Sequence, residues 1–345
     1  MRSALPNGPR RRLTVRHLTV RRTALAATAA TALIAGAAVL APGASAAGAS
    51  GSVAVAPYEY LGWGSPQDPA TVMSATGIKW FTLAFVLANN GCNPAWDGSR
   101  PLTGGTDQAK INEIRSHGGD VVASFGGWSG SKLGEACSSS GKLAAAYQKV
   151  ISAYKLKAID VDIENTEVSN SAARGRVVAA LRTVQQNNPG IKTYLTFGTT
   201  TSGPDGDGLA LIKQAKAAGL TPTAFTIMPF DFGSHSGTMA QATTSAANGL
   251  HSDIQSVYGL SSGAAYAIMG ISSMNGKTDE SDETVSTTDF KNILAFANAH
   301  HLSRLTFWAV NRDRACSSGA SAGDSCSGVS QSAYAFTKIF APYAP

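Results

Sequence analysis

Short runs of apolar and β-branched residues recur along the chain every 30–40 residues or so, and each predicts a strand. They are Val53–Trp63, Trp80–Ala88, Asp120–Phe125, Ala158–Glu164, Lys192–Thr200, Ala224–Phe232, Ala265–Ser273 and Arg304–Val310. Between most of them lie amphipathic, Ala-rich stretches with helical spacing: Asp107–His117, Gly141–Ala153, Ser171–Asn187, Gly208–Ala218, Thr288–Ala299 and Ser330–Phe340. Strand then helix, eight times over, predicts an α/β fold, a (β/α)8 TIM barrel in a single domain. The alternative is an open doubly wound sheet. That fold usually carries a Gly-rich dinucleotide turn after its first strand, and this sequence has none there.

The pattern changes near the N-terminus. Seven arginines, at 2, 10, 11, 12, 16, 21 and 22, precede an apolar run from Thr23 to Ala41, followed by the small residues Ala44-Ser45-Ala46. That order predicts an export signal over residues 1–46, and hence a secreted, extracellular protein. Arg21-Arg22 leaves the twin-arginine route open beside the ordinary secretory one. A retained membrane helix is the alternative, but the run is short and Ala-rich for an anchor. Residues 47–52 read as a flexible lead-in and 53–345 as the barrel.

The leader also carries the basic charge. The chain of 345 residues has 28 Lys+Arg against 22 Asp+Glu, a net +6. Removing the seven leader arginines leaves 21 basic residues against 22 acidic ones, so the remainder is near neutral. Nothing in that balance calls for nucleic acid, nor for a membrane once the leader is gone. Four cysteines in an exported chain predict two disulfides, with three possible pairings. Cys316–Cys326, closing a short Ser/Gly-rich loop, is favoured, and Cys92–Cys137 follows by elimination. No His/Cys cluster has zinc-ligand spacing, so no metal and no cofactor is expected.

The stretch richest in chemistry is Ile159-Asp160-Val161-Asp162-Ile163-Glu164. Side chains alternate faces along a strand, so Ile159, Val161 and Ile163 face the helices while three acids face the barrel interior. Unpaired buried carboxylates cost several kcal/mol each, and crowding pushes their pKa values apart. A neutral acid beside ionised neighbours suits general acid catalysis. A solvated edge strand with alternating charge is the structural alternative; the β-branched residues between the acids argue against it.

Here the sequence resembles glycoside hydrolase family 18. That family's fourth-strand signature is Asp-Gly-x-Asp-x-Asp-x-Glu, and the last three acids match while Lys157-Ala158 replaces the leading Asp-Gly. The third strand ends Ser124-Phe125-Gly126-Gly127, like Ser-x-Gly-Gly. The sixth carries Met228-Pro229-Phe230-Asp231, like Met-x-Tyr-Asp, and the eighth carries Phe307-Trp308. The resemblance spans residues 53–341.

It implies hydrolysis of β-1,4-linked N-acetylglucosamine polymers, chitin and chitooligosaccharides, by a monomer. The family retains configuration without a protein nucleophile, through attack by the substrate's own 2-acetamido oxygen. By resemblance, Glu164 is general acid and base, Asp162 orients the acetamido N–H, and Asp160 shares a proton with Asp162. Asp231, Met228, Phe230, Trp308 and Ser124 line the sugar site, with Trp308 as its floor and a cis peptide at Trp308–Ala309. Phe230 stands where the family has tyrosine, so one hydroxyl is missing; Phe232 or another loop compensates, or turnover is slower. Asp231 is out of phase with Met228 and Phe230, so the strand must twist or bulge there. The spacing between the last two strands leaves no room for the family's α+β insertion, which predicts an open groove and endo-action. Trp63, Trp96 and Trp128 follow strands and are candidate sugar platforms. Two other functions stay open: an endo-β-N-acetylglucosaminidase acting on N-glycans with the same acids, and a non-catalytic chitin-binding barrel, a class that usually lacks the final glutamate.

Overall fold

The protein's structure is a computed structural model that describes residues 51–318 and 321–345. The leader reading therefore lies outside the described residues.

Among the described residues, eleven strands form: β1 Tyr58–Tyr60, β2 Trp80–Asn89, β3 Asn93–Trp96, β4 Asp120–Gly126, β5 Ala158–Asp162, β6 Lys192–Gly198, β7 Ala224–Met228, β8 Met269–Met274, β9 Gly276–Lys277, β10 Thr284–Val285 and β11 Arg304–Trp308. Eight of them run parallel in the order β1-β2-β4-β5-β6-β7-β8-β11. Each coincides with one of the eight expected runs, and the fold is a (β/α)8 TIM barrel.

Closure is made by the segment ahead of β1 rather than by a β1–β11 ladder. The Ala54 carbonyl accepts the Leu305 N–H at 2.8 Å. The Ala56 carbonyl accepts the hydroxyls of Thr82 and Thr306, each at 2.7 Å. This explains why the expected run from Val53 is long while β1 itself is short.

The alternation read from sequence builds two cores. Outward residues such as Val121, Phe125, Ile159, Val161, Ile163, Leu195 and Ile227 are fully buried in one cluster with the helices. Each such side chain contributes about 2 kcal/mol of burial. Inside the barrel a small apolar plug of Ala56, Val122, Ala158, Tyr194 and Ala224 closes one end.

Most outer helices fall where periodicity puts them: Thr106–Ser116, Ser140–Tyr154, Ser171–Asn187, Gly206–Ala217 and Thr287–His300. Four of these starts carry side-chain caps, for example Asn170 accepting from Ala172 and Ala173 N–H groups and Asp205 from Asp207 and Gly208, while Thr106–Ser116 starts at Gly105 without one. The last helix is shorter than expected, Ala335–Phe340. A helix of 20 residues, Met239–Tyr258, was not expected at all. Its Ala/Ser/Thr-rich sequence buries Ala242, Ala246, Leu250 and Ile254 along one face, and Thr238 and Gln241 form a capping box. Its internal Gly249 is needed because a Cβ there would overlap the Ser202 carbonyl. Only the small hairpin β9–β10 separates β8 from the next helix, so no insertion domain interrupts the barrel.

Both disulfides form as expected, Cys92–Cys137 and Cys316–Cys326. Trp96 is corrected: it is fully buried and donates its indole N–H to Tyr154 at 3.0 Å. Its strand, β3, folds back antiparallel on β2 and turns the ring into the core.

Candidate active site

β5 sits mid-sheet between β4 and β6, with Asp160 in register with Ser124 and Tyr194, and Asp162 with Gly126 and Thr196. The strand ends at Asp162. Ile163 still donates its N–H to the Thr196 carbonyl at 2.8 Å, and Glu164 is extended before a short helix, Asn165–Ser169. Asn165 then takes a left-handed conformation and donates its amide to the Trp128 carbonyl at 2.7 Å, tying the two loops together. Both Asp162 and Glu164 reach a cleft of about 410 Å³ at the carboxyl ends of the strands.

Trp308 lies in the cleft with Phe85 stacked 5.7 Å away at an interplanar angle of 8°. Tyr58 and Tyr60 pack around the pair, at 6.0 and 6.4 Å from Trp308. The Trp308–Ala309 peptide is cis, as the resemblance implies; a second cis bond, Ala84–Phe85, was not anticipated. Exposed Trp63 and Trp128 line the cleft as well.

The acids differ sharply in environment. Burial, then Glu164 and Asp160, pushes the Asp162 carboxyl well above its usual range, against Arg304 and Lys132. One of its oxygens is buried without a partner. Burial raises Glu164 to about 7, opposed by the Lys132 ammonium and reinforced by Asp231. Lys132 was missed by sequence reasoning. It is buried, donates to the carbonyls of Gly127 and Ser129, and so props the loop that carries Trp128.

Asp160 is corrected. The expectation of a proton shared with Asp162 does not fit, because both its oxygens are already taken. Tyr58 (2.7 Å) and Ser124 (2.6 Å) donate to one, Thr196 (2.7 Å) and Arg304 (2.6 Å) to the other. Ser124 is corrected with it: fully buried and in register with Asp160, it serves that carboxylate and does not line the cleft. Arg304, wholly buried at the start of β11, was overlooked as an ordinary strand-end arginine.

Met228, Phe230 and Asp231 all line the cleft. The phase problem is solved outside the strand: β7 ends at Met228 and Asp231 adopts a left-handed conformation. Burial raises the Asp231 carboxyl, with Thr278 opposing. Buried Glu283 accepts the N–H groups of Asp231 and Phe232, both at 2.7 Å. No sequence signal marks Glu283, 52 residues downstream. Phe232 does not line the cleft and packs on the core, so it is no substitute for the missing hydroxyl; Ser272 of β8 does line it.

A parallel barrel that delivers carboxylates and a tryptophan to the mouth formed by its strand ends is the arrangement of a glycoside hydrolase site. Comparison with known proteins agrees. No family model matches the chain. It is 28% identical over 307 residues to the probable bifunctional chitinase/lysozyme of Escherichia coli K12, covering 84% of this chain and 34% of that protein. It is 27% identical over 275 residues to endochitinase 11 of Metarhizium anisopliae, covering 75% of this chain and 52% of that one. The chain thus spans about half or less of these relatives' lengths. The catalytic domain of the hyperthermophilic chitinase from Pyrococcus furiosus superposes with a TM-score of 0.75 at 26% identity, covering 83% of this chain and 93% of that domain. These likenesses agree with the resemblance to glycoside hydrolase family 18 read from the motifs.

Proposed function

We propose that this protein hydrolyses chitin and chitooligosaccharides with retention, using the substrate's acetamido group as nucleophile. The observation that carries the reading is Glu164, raised to about 7 at the cleft mouth, beside Asp162 with a free buried oxygen. In the first step Glu164 gives its proton to the glycosidic oxygen as the C1–O bond breaks. The 2-acetamido carbonyl oxygen bonds to C1, forming an oxazolinium ion, while Asp162 accepts the acetamido N–H. Glu164, now a carboxylate, then takes a proton from water, whose oxygen opens the ring at C1. Trp308 offers an apolar face beneath the sugar. Only the small β9–β10 hairpin, whose Asp279 lines the cleft, borders it on that side, which supports endo-action. Export and action as a monomer complete the reading; the leader pattern and two disulfides support the first.

The test is hydrolysis of N-acetylglucosamine tetramer by the wild type and Glu164→Gln, with anomers followed by NMR. The β anomer appears first with the wild type, and the variant loses at least a hundredfold or so in kcat. Initial α product, or equal turnover by the variant, would falsify the mechanism. A high-mannose glycoprotein assayed in parallel separates chitin from N-glycan cleavage.

A further inference from the structure

The middle layer of the barrel, beneath the cleft, is polar. It is built around an ion pair between Asp160 and Arg304, both wholly buried, at 2.6 Å. Arg304 reaches it from the start of β11, 144 residues away. Its second arm donates to Thr82 of β2 at 3.0 Å, and its guanidinium stacks over Tyr194 at 4.3 Å and lies 5.5 Å from Tyr58. A carboxylate offers about four lone-pair directions, and here four donors occupy them. No direction is left for a proton or for a bond from Asp162.

We propose that Arg304 is a positioning residue for the acid trio: by holding Asp160 as a fully occupied anion it confines the site's mobile proton to Asp162 and Glu164. This rests on the reading of the site as hydrolytic. The groups facing Asp160 are Tyr58 from β1, Ser124 from β4, Tyr194 and Thr196 from β6, Arg304 from β11 and Asp162 on its own strand, while Thr82 of β2 faces Arg304. Arg304 is the one cation among them. The far side of Asp162 and Glu164 faces Lys132 and Asp231. The Asp160–Arg304 pair is neutral as a unit, so Asp162 and Glu164 see little net field from below. Breaking the pair exposes them to an uncompensated anion.

The experiment compares pH profiles of kcat/KM on a soluble chitooligosaccharide for the wild type, R304M, R304K and the double variant D160N/R304M. Thermal unfolding and carboxyl-carbon NMR titration of the aspartates accompany it. R304M displaces the profile to higher pH by about one unit, because a cation that favoured ionisation is gone. R304K restores the wild-type profile with lower thermal stability. The double variant, which buries no charge and so stands in if R304M fails to fold, keeps its profile within roughly half a unit of wild type. Profiles that coincide in wild type and R304M overturn the proposal, as does a large shift in the double variant, which would mean that Asp160 itself carries the shared proton. Absence of turnover by the wild type would instead refute the hydrolytic reading. The NMR titration of Asp162 still reports on Arg304 in that case, moving upward in R304M if the proposal holds and staying put if it does not.

Discussion

Glu283 grips the backbone of Asp231: its buried carboxylate accepts the N–H groups of Asp231 and Phe232, both at 2.7 Å. Asp231 is thereby fixed in a left-handed conformation at the cleft, with its own carboxylate accepting the Asp279 N–H at 2.9 Å. Glu283→Ala leaves two backbone donors without their acceptor, at a cost of about 2–4 kcal/mol. The expected result is a lowered Tm together with a fall in kcat/KM of tenfold or so, since Asp231 loses its orientation. Glu283→Gln, retaining one acceptor, recovers part of both. Thermal melts and steady-state kinetics check this.

The alkaline limb of activity follows from Glu164. Its carboxyl is raised to about 7, so the proton it donates is present below that pH and lost as pH rises through it. kcat/KM therefore declines above pH 7. The Lys132 ammonium pulls Glu164 downward, so Lys132→Met moves this limb to higher pH by about half a unit to one unit. An unmoved limb in a folded Lys132→Met protein would show that some other group sets it.

Phe230 lines the cleft without a hydroxyl. Adding one by Phe230→Tyr supplies a donor toward the acetamido oxygen, worth about 1–2 kcal/mol if placed on it. A gain in kcat of roughly fivefold or more is expected with little change in Tm. If Ser272, which shares the cleft, already makes that bond, Ser272→Ala lowers kcat in the wild type and Phe230→Tyr rescues it.

Glu167 is a second buried acid, raised to about 7 by burial, with one oxygen accepting the Gly134 N–H at 2.9 Å and the other unpartnered. Its folded value lies above its unfolded one. The folded state therefore holds the proton longer, and stability falls as pH rises from the usual glutamate range to about 7. Glu167→Gln removes this penalty. Stability rises by about 2 kcal/mol at pH 8 and hardly changes near pH 4. Denaturant melts at the two pH values measure the difference.

Much of this was legible in the chain. The eight parallel strands lie where the β-branched runs predict, and the acids on β5 face inward because Ile159, Val161 and Ile163 claim the other face. Helix Met239–Tyr258 was legible but overlooked: Ala242, Ala246, Leu250 and Ile254 recur at helical spacing behind a Thr238/Gln241 capping box. Ser124 was misplaced for a different reason. Its strand-end position suggested the cleft, but register sets it one layer down, beside Asp160.

Facing along a strand is a local property, dictated by a pleat of period two, and for that reason the sequence alone determined the barrel and the inward acids, while the aromatic floor was read from the family resemblance. Which distant side chain meets each acid depends on strand stagger and barrel closure, which no local pattern encodes. Tertiary structure alone therefore chose Arg304 as the partner of Asp160, Lys132 as the cation beside Glu164, and Glu283 as the clamp on Asp231.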